Sequence, residues 1–108
     1  LLAYGYDGET ETWLRKAELY DFAPGRGGDG MVLDVEGNIY LTAGVGDLGG
    51  VYVFSAQGQH LSFLPTPETP TNCTFGGADL MTLYITASTS VYAVECELPG
   101  CLAFPCES

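Results

Sequence analysis

The side chains able to do chemistry in this chain are few, and most are oxygen donors. Acidic residues number 14 against 3 Lys+Arg, with one histidine, His60, and four cysteines. Asp29 stands on a glycine-rich stretch, residues 23–30 (APGRGGDG), three residues after Arg26. A carboxylate is the best single oxygen donor for a hard cation and can also take a proton. By residue type alone, Asp-Gly ahead of a strand is equally ordinary turn chemistry. Arg26 on the same loop has either an anionic ligand or solvent as its partner. Asn72 opens a later strand and offers its amide to a ligand or to a turn.

The cysteines do not make a metal site by spacing. Cys96, Cys101 and Cys106 are evenly spaced, with four residues between neighbours, and His60 is remote in sequence. That is not the paired CxxC pattern of a zinc centre. The three are compatible with one disulfide in an exported protein and with free thiols in a cytosolic one, so the compartment stays open. Cys73 lies in an apolar run and reads as a small core residue.

The elements that must position these residues are strands. Hydrophobic residues make up 46% of the chain and Gly 15 of 108, a composition of short strands and tight turns rather than disorder. A formal net charge of -11 argues against nucleic acid and anionic membranes as partners. No apolar run approaches the roughly 18 residues of a membrane-spanning helix. The chain opens at Leu1-Leu2 with neither Met nor a basic leader, which predicts a segment from within a longer product.

Period-two alternation predicts strands over residues 1–6 and within 12–22, then over 31–35, 39–43, 51–55 and 60–64, and again over 72–75, 83–87 and 90–95. The turns between them carry Gly and Asn, as at Glu36-Gly37-Asn38 and Gln57-Gly58-Gln59. Three prolines in residues 65–70 make an extended connector. The pattern repeats: Ile39-Tyr40-Leu41-Thr42-Ala43 matches Leu83-Tyr84-Ile85-Thr86-Ala87, and Gly50-Val51-Tyr52-Val53 matches Ser90-Val91-Tyr92-Ala93. A period of about 40 to 44 residues is that of a four-stranded propeller blade.

The expected fold is therefore all-β, a fragment of a β-propeller with about two four-stranded antiparallel blades. Residues 1–22 form the outer half of one blade, 28–65 a full blade, 71–95 three strands of the last, and 96–108 a cysteine-bearing tail. Tyr40, Tyr52, Tyr84 and Tyr92 recur at matching strand positions and are expected to pack between blades. Asp34 and Asp47 are expected to serve turns, and His60 to be structural or exposed. An isolated arc of blades leaves strand edges bare, so self-association through those edges is expected.

Three linked motifs resemble the gluconolactonase/senescence-marker-protein (regucalcin) family. Gly28-Asp29-Gly30-Met31-Val32-Leu33-Asp34-Val35-Glu36-Gly37-Asn38-Ile39-Tyr40 is similar to that family's DGMxxDxxGNxY blade opening. Thr71-Asn72-Cys73-Thr74-Phe75-Gly76-Gly77 resembles its TNxxFGG motif. Asp79-Leu80-Met81-Thr82-Leu83-Tyr84-Ile85-Thr86-Ala87 resembles the DxxTLYIT segment that follows. The order and spacing match over about residues 20–95.

The resemblance implies a six-bladed propeller that opens sugar lactones with a central divalent cation, calcium or zinc. Asp29 matches the family's aspartate that ligates the metal and acts as general base. Asn72, at the start of the next inner strand, and Arg26 are the candidates for binding the lactone. The remaining ligands are expected in blades outside this chain, so the 108 residues alone are expected to be inactive. The alternative is a propeller that serves as a non-catalytic binding scaffold.

Overall fold

Side chains that alternate along a strand leave each sheet two faces to bury, and ten strands among the described residues use that alternation. The computed structural model describes residues 1–22 and 27–102, with all side chains in those ranges except Arg15 and Lys16. In chain order the strands are β1 (Leu2–Asp7), β2 (Thr12–Glu18), β3 (Gly28–Asp34), β4 (Ile39–Ala43) and β5 (Gly50–Phe54). They continue with β6 (His60–Pro65), β7 (Pro70–Gly76), β8 (Thr82–Ala87), β9 (Val91–Glu95) and the short β10 (Gly100–Cys101). Among the described residues the helical content is one turn of 3₁₀ helix at Gly46–Leu48, between β4 and β5.

The strands form three antiparallel sheets: β1-β2, β3-β4-β5-β6 with β10 added beside β3, and β7-β8-β9. The chain is all-β and builds blades of a β-propeller. The central blade is an up-and-down meander, and β3 and β7 are the first strands of successive sheets. Propeller blades are arranged around a central channel.

Asp34 sets the β3–β4 turn. Its carboxylate, 1% exposed, accepts the backbone N–H of Glu36 at 2.9 Å and of Asn38 at 3.0 Å. It also accepts the Asn38 amide at 2.9 Å and the Tyr40 hydroxyl at 3.2 Å. A buried carboxylate is tolerated when its oxygens are this fully engaged.

The alternation on β4 and β5 divides the core. Tyr40, Val51 and Val53 face the third sheet and pack against Cys73, Phe75, Leu83 and Ile85. Tyr40 and Phe75 meet edge to face with centroids 5.1 Å apart. On the opposite face, Tyr52 and Phe54 meet Tyr20 and Phe22, which follow β2, together with His60. His60 is thus exposed and structural, on an edge strand, its ring stacked in that cluster. Of the repeated tyrosines, Tyr40 packs between sheets as expected, whereas Tyr84 lies on the far face of the third sheet and is 39% exposed.

Two details differ from the sequence pattern. The stretch expected as loop through residue 30 already belongs to β3 from Gly28. The tail expected to break the pattern contains β10, which pairs Gly100 with Asp34 and Cys101 with Leu33. Cys96 N–H donates to Met81 O at 2.8 Å and Gly100 N–H to Leu80 O at 2.8 Å, which folds the tail back on the preceding turn. Gly100 is required there, because a Cβ would overlap the Phe75 ring.

Candidate functional site

Asp29 sits in a bulge of β3. Gly28 pairs with Ala43 and Met31 with Leu41, so Asp29 and Gly30 together oppose the single residue Thr42. A bulge of this kind re-aims side chains and is frequent beside active sites. Thr42 holds it. The Gly30 N–H donates to Thr42 Oγ1 at 2.9 Å, and the same hydroxyl donates to Gly30 O at 3.1 Å. Thr42 is fully buried, Asp29 exposed.

The next sheet repeats the device. Between Pro70 and Asn72 the register of β7 against β8 slips by one residue, and Thr86 Oγ1 donates to Asn72 O at 3.3 Å. Thr86 stands to Asn72 as Thr42 stands to Gly30, so the two bulges are equivalent positions of successive blades.

The two bulges touch. A Cβ on Gly30 would lie 2.9 Å from Asn72 Cα and overlap the Asn72 side-chain oxygen. Asp29 is thereby held one peptide bond from the point where Asn72 crosses β3. Asn72 Oδ1 accepts the Cys73 N–H at 2.9 Å, which orients the amide and leaves its NH2 as the group available to donate. Asp29 and Asn72, named from the sequence, are brought together; Arg26 lies outside the described residues.

At the same end of the sheets, the loop after β4, the proline connector and the β8–β9 turn border a cleft of about 570 Å³, lined in part by Asp47, Thr66, Glu68 and Ser88. The Glu68 carboxylate accepts the hydroxyls of Thr89 and Tyr92, and these bonds hold it below the usual carboxylate range.

Cys73 is buried in the core, and desolvation pushes its thiol up to about 11. Cys96 is half-buried and free, Cys101 is disulfide-bonded, and Cys106 lies outside the described residues. Among the described residues no three His, Cys, Asp or Glu side chains converge to hold a metal. A carboxylate such as that of Asp29 is a hard oxygen donor of the kind calcium takes.

Thr42, which holds the bulge, is a residue the sequence did not single out. It aligns with Thr86 in the repeat, but a Thr at a strand position signals nothing beyond β propensity.

Packed antiparallel sheets whose first strands meet at a bulged end define the class: blades of a β-propeller. Residues 1–89 match the family described as SMP-30/gluconolactonase/LRE-like region, and the chain belongs to that family. It is similar to an X-ray structure from the Northeast Structural Genomics Consortium, provisionally assigned as a gluconolactonase, with TM-score 0.78 and 30% identity over 92% of this chain and 32% of that one. It is also similar to a luciferin-regenerating enzyme, with TM-score 0.75 and 26% identity over 92% of this chain and 39% of that one. The chain thus spans about a third to two fifths of these solved structures. No curated protein matches it.

Proposed function

We propose that this chain supplies adjacent blades of a metal-dependent sugar-lactone hydrolase, with Asp29 as oxygen ligand of a divalent cation and general base. The observation that supports this reading is the contact between the two bulges: Asp29, an exposed residue, adjoins Gly30, which packs directly against Asn72. Calcium suits these oxygen donors; zinc is the alternative. When bound, such a cation polarises the lactone carbonyl.

Asp29 takes the proton of the attacking water as its oxygen adds to the carbonyl carbon, and returns that proton to the ring oxygen as the ring ester bond breaks. Asn72 holds the lactone through its amide NH2, whose orientation the Cys73 bond fixes. The bulge keeps the Asp29 backbone from swinging as charge moves, which is the kind of preorganisation that positioning requires. The other ligands belong to other blades, so the 108 residues alone bind the cation weakly and do not turn over.

The test is Asp29→Asn in the complete protein. Loss of lactone opening by about 10²-fold or more is the expected result, on the scale of a removed general base. Turnover equal to that of the unmodified protein overturns the assignment.

A further inference from the structure

We propose that Thr42 is a positioning residue for this site, acting on Asp29 through the bulge at Gly30; the inference rests on Asp29 being the ligand and base.

Two polar side chains are buried in the core of the described residues, Asp34 and Thr42. Asp34 is accounted for by its turn. Thr42 lies at the end of β4 on the face it shares with Tyr40, where the neighbouring positions of β5 are Val51 and Val53. For packing alone a valine there would serve as well, because the two side chains have nearly the same shape. A hydroxyl taken out of water is unfavourable unless it is bonded. The Thr42 hydroxyl is bonded twice, to the N–H and to the C=O of the same residue, Gly30.

The geometry explains why. A bulge leaves the backbone groups of its extra residue without ladder partners, and buried backbone groups need partners. Thr42 substitutes for the missing ladder. It clamps both polar groups of the residue that follows Asp29, which fixes where the Asp29 Cα lies. Loss of the hydroxyl frees the bulge to relax toward regular pairing, and a one-residue slip in a strand carries a side chain to the other face.

The effect expected is that of an outer-shell partner, on the order of 10- to 100-fold in metal affinity or activity. The experiment uses the complete protein and the variants Thr42→Val, Thr42→Ser and Asp29→Asn. Tyr40→Phe serves as a control that removes a buried hydroxyl bond from the same strand far from the bulge. Calcium affinity is measured by calorimetry with calcium alone, kcat and KM with a gluconolactone, and melting by circular dichroism.

Thr42→Val is expected to weaken calcium binding and lower kcat by about 10-fold or more, on the scale of a lost outer-shell bond. Thr42→Ser keeps the hydroxyl and is expected to keep both. Tyr40→Phe is expected to lower the melting temperature while leaving calcium affinity unchanged. If Thr42→Val does not fold, Thr42→Cys is read in its place, since a thiol is a weak partner for the same groups.

Unchanged calcium affinity and kcat in Thr42→Val, alongside a dead Asp29→Asn, overturns the role of Thr42 and leaves that of Asp29. Equal losses in Thr42→Val and Tyr40→Phe also overturn it, because a general structural effect then suffices. A fully active Asp29→Asn that binds calcium normally overturns both.

Discussion

The side-chain oxygen of Asn72 occupies the space that a β-carbon on Gly30 would need. Two residues 42 positions apart, at equivalent places in successive blades, are therefore in direct contact. The contact ties the candidate site to the packing between blades: whatever moves one bulge moves the other.

Gly30→Ala tests this contact. The added methyl must displace Asn72, and overpacking of this kind costs about 1 to 3 kcal/mol. Unfolding by denaturant is expected to show that loss. Adding Asn72→Ala should recover part of it, because the side-chain clash disappears while Asn72 Cα stays 2.9 Å from the new β-carbon. A double variant no more stable than Gly30→Ala contradicts the account.

Asp34→Ala addresses the far end of β3. Removing a carboxylate that is 1% exposed strands four donors: two backbone N–H groups, the Asn38 amide and the Tyr40 hydroxyl. Bonds to a charged group contribute about 1.5 to 3 kcal/mol each, and stranded donors add a desolvation cost. A loss of about 3 kcal/mol or more is expected. A loss below about 0.5 kcal/mol, the size of a neutral surface change, rules out the turn as a stability element.

Cys73 predicts an alkaline limb. Its thiol donates to Tyr40 O at 3.5 Å, and burial raises its pKa from 9.0 to about 11. The folded state thus favours the protonated thiol. The stability it contributes is fully present below pH 9, and is lost as pH rises from 9 to about 11, where the unfolded thiol ionises first. Tyr40 is shifted upward as well, by burial and then by the Asp34 charge, and adds to the same limb. A rise from 9.0 to about 11 corresponds to about 2 to 3 kcal/mol at most. Cys73→Ala is expected to flatten the pH dependence of unfolding between pH 9 and 11; an unchanged slope refutes the assignment.

The sequence by itself determined what is local. The alternation along residues 39–43 and 51–54, the glycine and asparagine turns and the repeat of Ile39–Ala43 at residues 83–87 specify strands, meanders and blades, because side-chain direction along a strand depends on nearest neighbours alone. Asp29 and Asn72 were legible as candidates for the same reason, through motifs written in consecutive residues.

What the tertiary structure decided is non-local. The crossing of Asn72 over Gly30 joins residues of two sheets that share no hydrogen-bonded ladder. The docking of Gly100 and Cys101 on β3 depends on how the tail folds back over Leu80 and Met81. Thr42 reads as one more β-branched strand residue until the bulge opposite it is seen. Register between strands and the angle between blades come from packing, and neither is encoded by the period-two pattern that marks the strands.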